Sequence, residues 1–228
     1  MSQAARRTLK LEQTVGLLGE LSRAQASVQD VRAALSRVRL DTVALEPFLN
    51  FAPGRYTRNL LYRDAHLELL ALCWDRGVRS PIHDHAGQDC WFFIHAGTFQ
   101  VEDYEIRAGG HEPGFARVER VATESGMRPG RVDARGAENP VHRVGVSERG
   151  PGVTLHLYSK PYDSCLVFSE TQSRCSRRML KYDSVGGSVD VARCVARPLL
   201  ARSTVVRTVG LHHLKAAEAC ERELPHAR

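Results

Sequence analysis

Two histidines separated by a single residue are the clearest chemical feature of the sequence. They are His83 and His85, at the end of the segment Gly77-Val-Arg-Ser-Pro-Ile-His83-Asp-His85. Because side chains of an extended chain alternate between its two faces, both imidazoles are predicted to leave the same face. This geometry suits two adjacent ligands of one metal ion. A histidine pair alone is weak support, since surface and core histidines also occur at this spacing.

The residues around the pair strengthen the interpretation as a metal site. The stretch from Gly77 to Gly97 resembles the first cupin motif, G-x5-HxH-x3,4-E-x6-G, at every fixed position except one. Cys90 stands where that motif carries a glutamate ligand. The resemblance predicts a metal site that has His83 and His85 as ligands and lacks the carboxylate of the motif.

A third ligand has to come from further along the chain, and His142 is the best candidate among ten histidines. It lies in Pro140-Val-His142-Arg-Val, a short β-type run after a loop, where cupins place the histidine of their second motif. A histidine with a purely structural role is the alternative at this position.

The charge of this donor set bears on the substrate. Three neutral imidazoles give the metal no negative charge, unlike the two-histidine, one-carboxylate set of many iron(II) oxygenases. A substrate that binds as a thiolate would supply the missing charge, and the metal would in turn lower the pKa of the thiol. The three histidines therefore indicate a small thiol as substrate.

The elements that must position these residues begin with a helical segment over residues 1–50. Helical spacing of apolar residues predicts two amphipathic helices there, the first capped by Thr8 and the second by Ser27 together with Asp30. At the other end, residues 184–228 are expected to form an extension of unknown role. Its candidate elements are two strands and a helix, at Val189–Val195, Thr204–Val209 and Leu211–Leu224.

Between them, residues 51–183 predict a β domain, because short β-type runs alternate with Gly, Pro and Asp. The expected strands are His66–Trp74, Cys90–Ile94, Thr98–Ile106, Val141–Val146, Val153–Tyr158 and Cys165–Phe168. We expect His95-Ala-Gly97 to form a hairpin turn, and residues 107–139 to be loops around one or two short strands. The prediction is a mainly β fold, a cupin jelly-roll or β-sandwich with an N-terminal layer of α-helices.

The bulk properties exclude several classes of partner. The chain has a net charge of +6, but its 32 basic residues are scattered among 26 acidic ones, so no nucleic-acid footprint is predicted. No apolar run approaches the roughly 20 residues needed to cross a bilayer. Six cysteines without a CxxC pair or a secretion signal favour reduced thiols. We expect a cytoplasmic monomer without nucleic-acid or membrane partners.

Several motifs, in the same order along the chain, resemble the cysteine dioxygenase family over residues 56–182. They are Tyr56-Thr-Arg58-Asn-Leu, Leu72-Cys-Trp74, Ser80-Pro-Ile-His83-Asp-His85, Cys90, His142-Arg-Val, Leu155-His156-Leu-Tyr158-Ser and Tyr162-Asp-Ser-Cys165. The resemblance implies one iron(II) per chain, held by His83, His85 and His142. It also implies a reaction of cysteine with dioxygen that gives cysteine sulfinic acid.

The resemblance further implies roles for the substrate pocket. Arg58 would hold the substrate carboxylate, a task suited to a bidentate guanidinium, and Tyr56 would support it. Cys165 would line the pocket. Trp74 is expected to serve packing rather than substrate contact.

The resemblance also implies a catalytic group around Tyr158, whose phenol would lie beside substrate and oxygen. His156 would hydrogen-bond to Tyr158, and Thr154 would extend that chain, since alternation puts all three on one strand face. In the mammalian-type enzymes this tyrosine is joined by a thioether to the cysteine at the Cys90 position. Both partners are present here, so the resemblance allows a Cys90–Tyr158 protein-derived cofactor.

Two positions depart from the family pattern. Lys160 follows Ser159 where the family has a serine-proline peptide, and Val146 replaces an asparagine. Three other functions therefore stay open. They are 3-mercaptopropionate dioxygenase, whose members tend to carry glutamine at the Arg58 place, a non-catalytic metal-binding cupin, and a zinc or manganese isomerase.

Overall fold

The computed structural model of the protein describes residues 7–136 and 141–188. The N-terminal part runs in the order β1 (Arg7–Leu9), α1 (Leu11–Arg23), α2 (Val28–Ser36), β2 (Val38–Leu40), α3 (Thr42–Leu45) and a 3-10 turn (Glu46–Phe48). The strands that follow are β3 (Tyr56–Arg63), β4 (Glu68–Trp74), β5 (Ile82–His83), β6 (Cys90–Ala96), β7 (Phe99–Gly109), β8 (Gly114–Met127), β9 (Val132–Arg135), β10 (His142–Val146), β11 (Gly152–Tyr158), β12 (Ser164–Ser169), β13 (Arg174–Met179) and β14 (Ser184–Val185).

Most of these strands belong to two six-stranded sheets. The closed sheet has the order β10-β5-β12-β13-β8-β7, with β7 pairing again with β10, and the open sheet has the order β14-β3-β4-β11-β6-β9. Both sheets contribute to one core cluster, in which Leu70 and Phe92 of the open sheet pack with Val101 and Val144 of the closed sheet. The predicted mainly β cupin fold is confirmed.

The N-terminal helices cover the outer face of the open sheet. Leu18 of α1 and Leu35 of α2 are buried in a cluster with Leu69 and Leu155 of the sheet. Strands β4 and β11 are buried at every position, because the helices cover one of their faces and the core covers the other. The predicted N-terminal helical layer is therefore present.

One of the two predicted helix caps is confirmed. The Ser27 hydroxyl accepts the Asp30 N–H, and the Asp30 carboxylate accepts the Ser27 N–H, both at 3.2 Å. Thr8 as a cap is wrong. It is held in the ladder between β1 and β2, where its hydroxyl accepts Arg39 Nε at 3.0 Å, and α1 begins after Lys10.

The predicted hairpin at His95–Gly97 is also wrong, although the chain does turn there. β6 lies in the open sheet and β7 in the closed sheet, so the turn carries the chain from one sheet to the other. Gly97 has φ +92°, and a Cβ there would lie 2.8 Å from the Gly152 Cα. The glycine is required by this close crossing, which a turn signal alone does not distinguish from a hairpin.

The expectation of loops around one or two short strands over residues 107–139 is wrong for β8, while β9 is a short strand as expected. β7 and β8 form a long antiparallel hairpin, and β8 runs through fourteen residues. Most of β8 is exposed, so its sequence lacks the apolar alternation from which a half-buried strand is recognised. β3 was likewise absent from the predicted strands, although the family motif contains its first residues.

Only the beginning of the proposed C-terminal extension falls in the described residues. There, β14 pairs in parallel with β3, placing Ser184 opposite Asn59. The elements predicted at Val189–Val195, Thr204–Val209 and Leu211–Leu224 lie outside the described residues. Among the helices that are described, none has the length and apolar character needed to cross a membrane.

Candidate metal centre and substrate cavity

Three histidines meet on the closed sheet. Antiparallel pairing of β5 with β10 places His83 directly opposite His142, and His85 follows two residues after His83. The ligand nitrogens of the three side chains lie within 4.8 Å of one another. The Nε2 atoms of His85 and His142 are 3.1 Å apart. Three imidazole nitrogens thus converge on one point, as a metal site requires.

The protonation of the histidines suits metal binding. The Pro81 carbonyl accepts a hydrogen bond from His83 Nδ1 at 3.0 Å, so the proton is on Nδ1 and the Nε2 lone pair is free. Burial lowers the pKa of His83 to about 4. Burial also holds the pKa values of His85 and His142 well below their usual range. All three side chains are therefore neutral ligands at neutral pH.

The contact between His85 and His142 is itself a reason to place a metal there. Two facing Nε2 atoms can share at most one proton, while a metal ion would accept a lone pair from each. Both side chains are fully buried, and their Nδ1 atoms have no hydrogen-bond partner among the described residues. The residues present therefore fit a metal ion held by three imidazoles.

A chain of hydrogen bonds connects Tyr158 with two further residues of β11, His156 and Thr154. His156 Nδ1 lies 3.4 Å from the Tyr158 hydroxyl, and His156 Nε2 lies 2.9 Å from the Thr154 hydroxyl. Trp74 Nε1 donates to the same Thr154 hydroxyl at 2.8 Å. The alternation expected along this strand is thus observed, and Trp74, expected only to pack, extends the chain.

The indole N–H can only donate, so the Thr154 hydroxyl is the acceptor in its contact with Trp74. Thr154 accepts from Trp74, so its own proton is available to His156 Nε2. In the tautomer in which Thr154 donates to Nε2, His156 carries its proton on Nδ1, 3.4 Å from the Tyr158 oxygen. The Tyr158 ring itself lies 5.8 Å from the His85 ring, so the phenol is close to the histidine cluster.

A cavity lies beside the three histidines. Six of the nine predicted site residues line it: Tyr56, Arg58, His83, His156, Tyr158 and Cys165. The other three, His85, Cys90 and His142, are buried in the adjoining core. The structure therefore brings together all the residues that were selected from widely separated motifs.

Arg58 is the least compensated charge at the site. It is only 9% exposed, and its Nε and Nη2 atoms have no hydrogen-bond partner among the described residues. Burying a guanidinium whose N–H groups have no hydrogen-bond partner is costly. Because Arg58 lies in the wall of the cavity, an anionic ligand that enters the cavity could form hydrogen bonds with these nitrogens and neutralise the charge.

Three aromatic or charged residues in the lining were not among the predicted site residues. Tyr162 is buried and packs edge-on against Tyr158 at 4.9 Å between ring centroids. Trp74 stacks on Tyr56 at 4.7 Å. Arg178 lies on β13. Tyr162 and Trp74 stand within the family motifs, which was the available signal, whereas Arg178 lies outside the quoted motifs.

A buried polar network adjoins the cavity. Glu68 is fully buried and pairs directly with Tyr158 across the β4–β11 ladder. Its carboxylate accepts a hydrogen bond from the Tyr182 hydroxyl and lies 3.5 Å from Arg63 Nη1. Arg63 Nη2 also contacts Asp163 at 2.9 Å. Because Asp163 follows Tyr162 directly, this ion pair fixes the segment that carries Tyr162.

The two departures from the family pattern lie at different depths. Val146 is buried in the apolar core cluster, so the place of the family asparagine is filled by packing. The peptide before Lys160 is trans, as are all peptide bonds in the described residues. The Ser159 hydroxyl accepts a hydrogen bond from the Asp89 N–H at 3.0 Å, which holds this segment next to the start of β6.

Comparisons with known proteins identify the family of the chain. The model of the family described as cysteine dioxygenase type I matches residues 1–171. Cysteine dioxygenase type 1 of Homo sapiens is 27% identical over 165 residues, which are 72% of this chain and 80% of the relative. The protein of the same name from Mus musculus is 28% identical over the same shares of both chains.

Solved structures resemble parts of the chain at lower similarity. A conserved protein with a double-stranded β-helix domain from Klebsiella pneumoniae is 11% identical with a TM-score of 0.39, covering 55% of this chain and 94% of its own. An RmlC-like cupin from Desulfovibrio desulfuricans is 13% identical with a TM-score of 0.35, covering 50% of this chain and 91% of its own.

Proposed function

The chain belongs to the cysteine dioxygenase type I family, and from this we propose that it is an iron(II)-dependent dioxygenase that converts L-cysteine into cysteine sulfinic acid. The observation that carries the choice of substrate is Arg58, a buried guanidinium with two unpartnered nitrogens in the wall of the cavity beside the three histidines. A small thiol with a carboxylate supplies both the anion for Arg58 and the thiolate for the metal.

The proposed reaction balances without a further reductant. The thiol R–SH and one dioxygen molecule give the sulfinic acid R–SO2H, and both oxygen atoms end on the sulfur. The sulfur loses four electrons, and dioxygen gains them. Iron(II) held by His83, His85 and His142 would supply the redox chemistry that allows dioxygen to react with the sulfur.

The residues of the chain would bind and orient the substrate. Arg58 and Tyr56 hold the carboxylate, which fixes the thiol at the histidine cluster. Tyr158 would present its phenol to the bound substrate, and His156, 3.4 Å from its hydroxyl, would orient it. The apolar walls of the cavity, including Leu72 and Val144, exclude water from the reacting atoms.

Oxygen consumption with a panel of thiols tests this proposal. The iron-loaded protein is expected to consume oxygen with cysteine and to form one molecule of cysteine sulfinic acid for each dioxygen molecule consumed. A His142→Ala variant is expected to lose both iron and activity. Consumption with 3-mercaptopropionate but not with cysteine would favour the mercaptopropionate enzyme instead.

Other outcomes would point to different classes. An iron-loaded protein that consumes no oxygen with cysteine, 3-mercaptopropionate or cysteamine would be a non-catalytic metal-binding cupin. Freshly isolated protein with zinc or manganese in place of iron would favour an isomerase. A cytoplasmic location and a monomeric state stay predictions, to be checked by fractionation and by size-exclusion chromatography with light scattering.

A further inference from the structure

The cavity beside the histidines has more positive charge than one carboxylate would neutralise. Its lining includes two arginines, Arg58 and Arg178, and no aspartate or glutamate among the described residues. The other polar groups in the lining are neutral phenols, imidazoles, hydroxyl and thiol groups at neutral pH. Arg58 is buried, while Arg178 is exposed and so lies at the end of the cavity open to solvent.

The pairing of β12 with β13 determines where Arg178 points. Arg178 is directly opposite Cys165, and side chains of directly paired residues stand on the same face of a sheet. Cys165 is buried in the cavity wall, so the Arg178 side chain extends along that wall. Arg177, one residue earlier, is on the other face, where its Nη1 donates to the Ser164 hydroxyl at 3.4 Å.

Arg178 has no hydrogen bond or ion pair with any residue in 7–136 or 141–188, whereas most arginines near the site are paired. Arg63 contacts Asp163 at 2.9 Å, and Arg135 contacts Asp133 at 2.7 Å. An unpaired guanidinium above a cavity that already has an unpaired guanidinium at its inner end provides two separate anion contacts.

We propose that Arg178 forms a second carboxylate subsite, so that the pocket accepts dicarboxylate thiols in addition to cysteine. This rests on the proposed function, because the thiol of such a substrate would bind at the three histidines and one carboxylate at Arg58. The second carboxylate extends to Arg178 at the solvent end. Cysteine, with a single carboxylate, leaves Arg178 unused apart from electrostatic attraction during entry.

The test uses two ligands that differ by one carboxylate group, 3-mercaptopropionate and mercaptosuccinate. Their affinities for the iron-loaded protein are measured by anaerobic calorimetric titration, so that no turnover is needed. Mercaptosuccinate is expected to bind at least about fivefold more tightly than 3-mercaptopropionate, because it adds a charge-assisted contact. In Arg178→Met that preference is expected to vanish, and in Arg178→Lys to be partly kept. Arg177→Met, which removes the neighbouring charge on the opposite face, should keep it.

The subsite is overturned if the wild-type protein shows no preference for mercaptosuccinate, or if Arg178→Met retains it. Equal losses in Arg178→Met and Arg177→Met would also overturn it, since they would reflect general surface charge. Oxygen consumption with cysteine tests the proposed function separately. A protein that is inactive with cysteine but shows the Arg178-dependent preference would contradict the dioxygenase and keep the subsite.

Discussion

Cys90 and Tyr158 are directly opposite each other in the antiparallel pairing of β6 with β11. Directly paired side chains stand on the same face of a sheet, roughly 5 Å apart at their Cβ atoms. Both side chains are almost completely buried, at 1% and 2% exposure. Burial raises the pKa values of the Cys90 thiol and the Tyr158 phenol, so both groups are protonated at neutral pH.

This pairing predicts that a thioether forms between Cys90 and Tyr158 during turnover. The Cys90 S–H and an ortho C–H of the Tyr158 ring would be lost as a carbon–sulfur bond forms, and dioxygen would accept the two electrons. Intact-protein mass spectrometry should then show loss of two hydrogen atoms after turnover with cysteine. Cys90→Ala and Tyr158→Phe should lack the loss, whereas Cys165→Ala should retain it. An unchanged mass in fully active protein would exclude the cross-link.

The unpaired state of Arg58 predicts opposite effects on binding and on stability. Arg58→Gln is expected to raise KM for cysteine by roughly ten- to a hundredfold, because a hydrogen bond between charged groups contributes about 1.5–3 kcal/mol. Without substrate, the same variant is expected to be about 1 kcal/mol more stable than the wild type, because a buried cation with two unpartnered nitrogens is removed.

Urea denaturation and steady-state kinetics measure the two effects on Arg58→Gln. Arg55→Gln is the matched control, since Arg55 directly precedes the same strand but is exposed and paired with Asp183 at 2.7 Å. Turnover of cysteamine, which has no carboxylate, should be nearly unaffected by either variant. Unchanged KM for cysteine in Arg58→Gln would show that this guanidinium does not hold the carboxylate.

The hydrogen-bonded chain behind Tyr158 predicts that Thr154 acts as a positioning residue. Thr154→Val leaves Trp74 Nε1 and His156 Nε2 without their shared partner, so His156 is free to adopt the other tautomer. We expect kcat to fall several-fold, KM to stay constant, and the pH–rate profile to shift. Thr154→Ser should restore all three. A shift in KM alone, or identical profiles for the Val and Ser variants, would contradict this role.

The sequence contained enough information to predict some of these relationships and not others. The convergence of His83 and His85 follows from alternation along the chain, which is a local property. The position of His142 opposite His83, and of Trp74 next to Thr154, depends on which strands pair and in which register. Those contacts join residues 59 and 80 positions apart, so no local pattern records them.

Exposed strands are also difficult to predict from the sequence. β8 is held mainly by its hydrogen bonds to β7, and it buries only three apolar side chains, Ala116, Val118 and Met127, so its composition resembles that of a loop. Arg178 lines the cavity only because β13 pairs with β12 in the observed register. Its sequence neighbours, Arg177 and Met179, are exposed residues that give no indication of a site.

The network around Glu68 predicts an asymmetry between two variants. Arg63→Met removes the one cation within ion-pair distance of a fully buried carboxylate among the described residues, and should cost about 3 kcal/mol at neutral pH. Glu68→Gln should cost less, because Arg63 keeps its contact with Asp163. The free energies of unfolding are measured by urea denaturation.

The pH dependence of the same variants gives an independent check. Burial raises the pKa of Glu68, although Arg58, Tyr182 and Arg63 favour its charged form. The folded protein therefore holds this proton more tightly than the unfolded chain, whose glutamate pKa is about 4.3. As pH rises through that value, the stability of the wild type should fall relative to Glu68→Gln, and that of Arg63→Met should fall further. A stability difference between wild type and Glu68→Gln that stays constant from pH 4 to pH 7 would contradict the raised pKa.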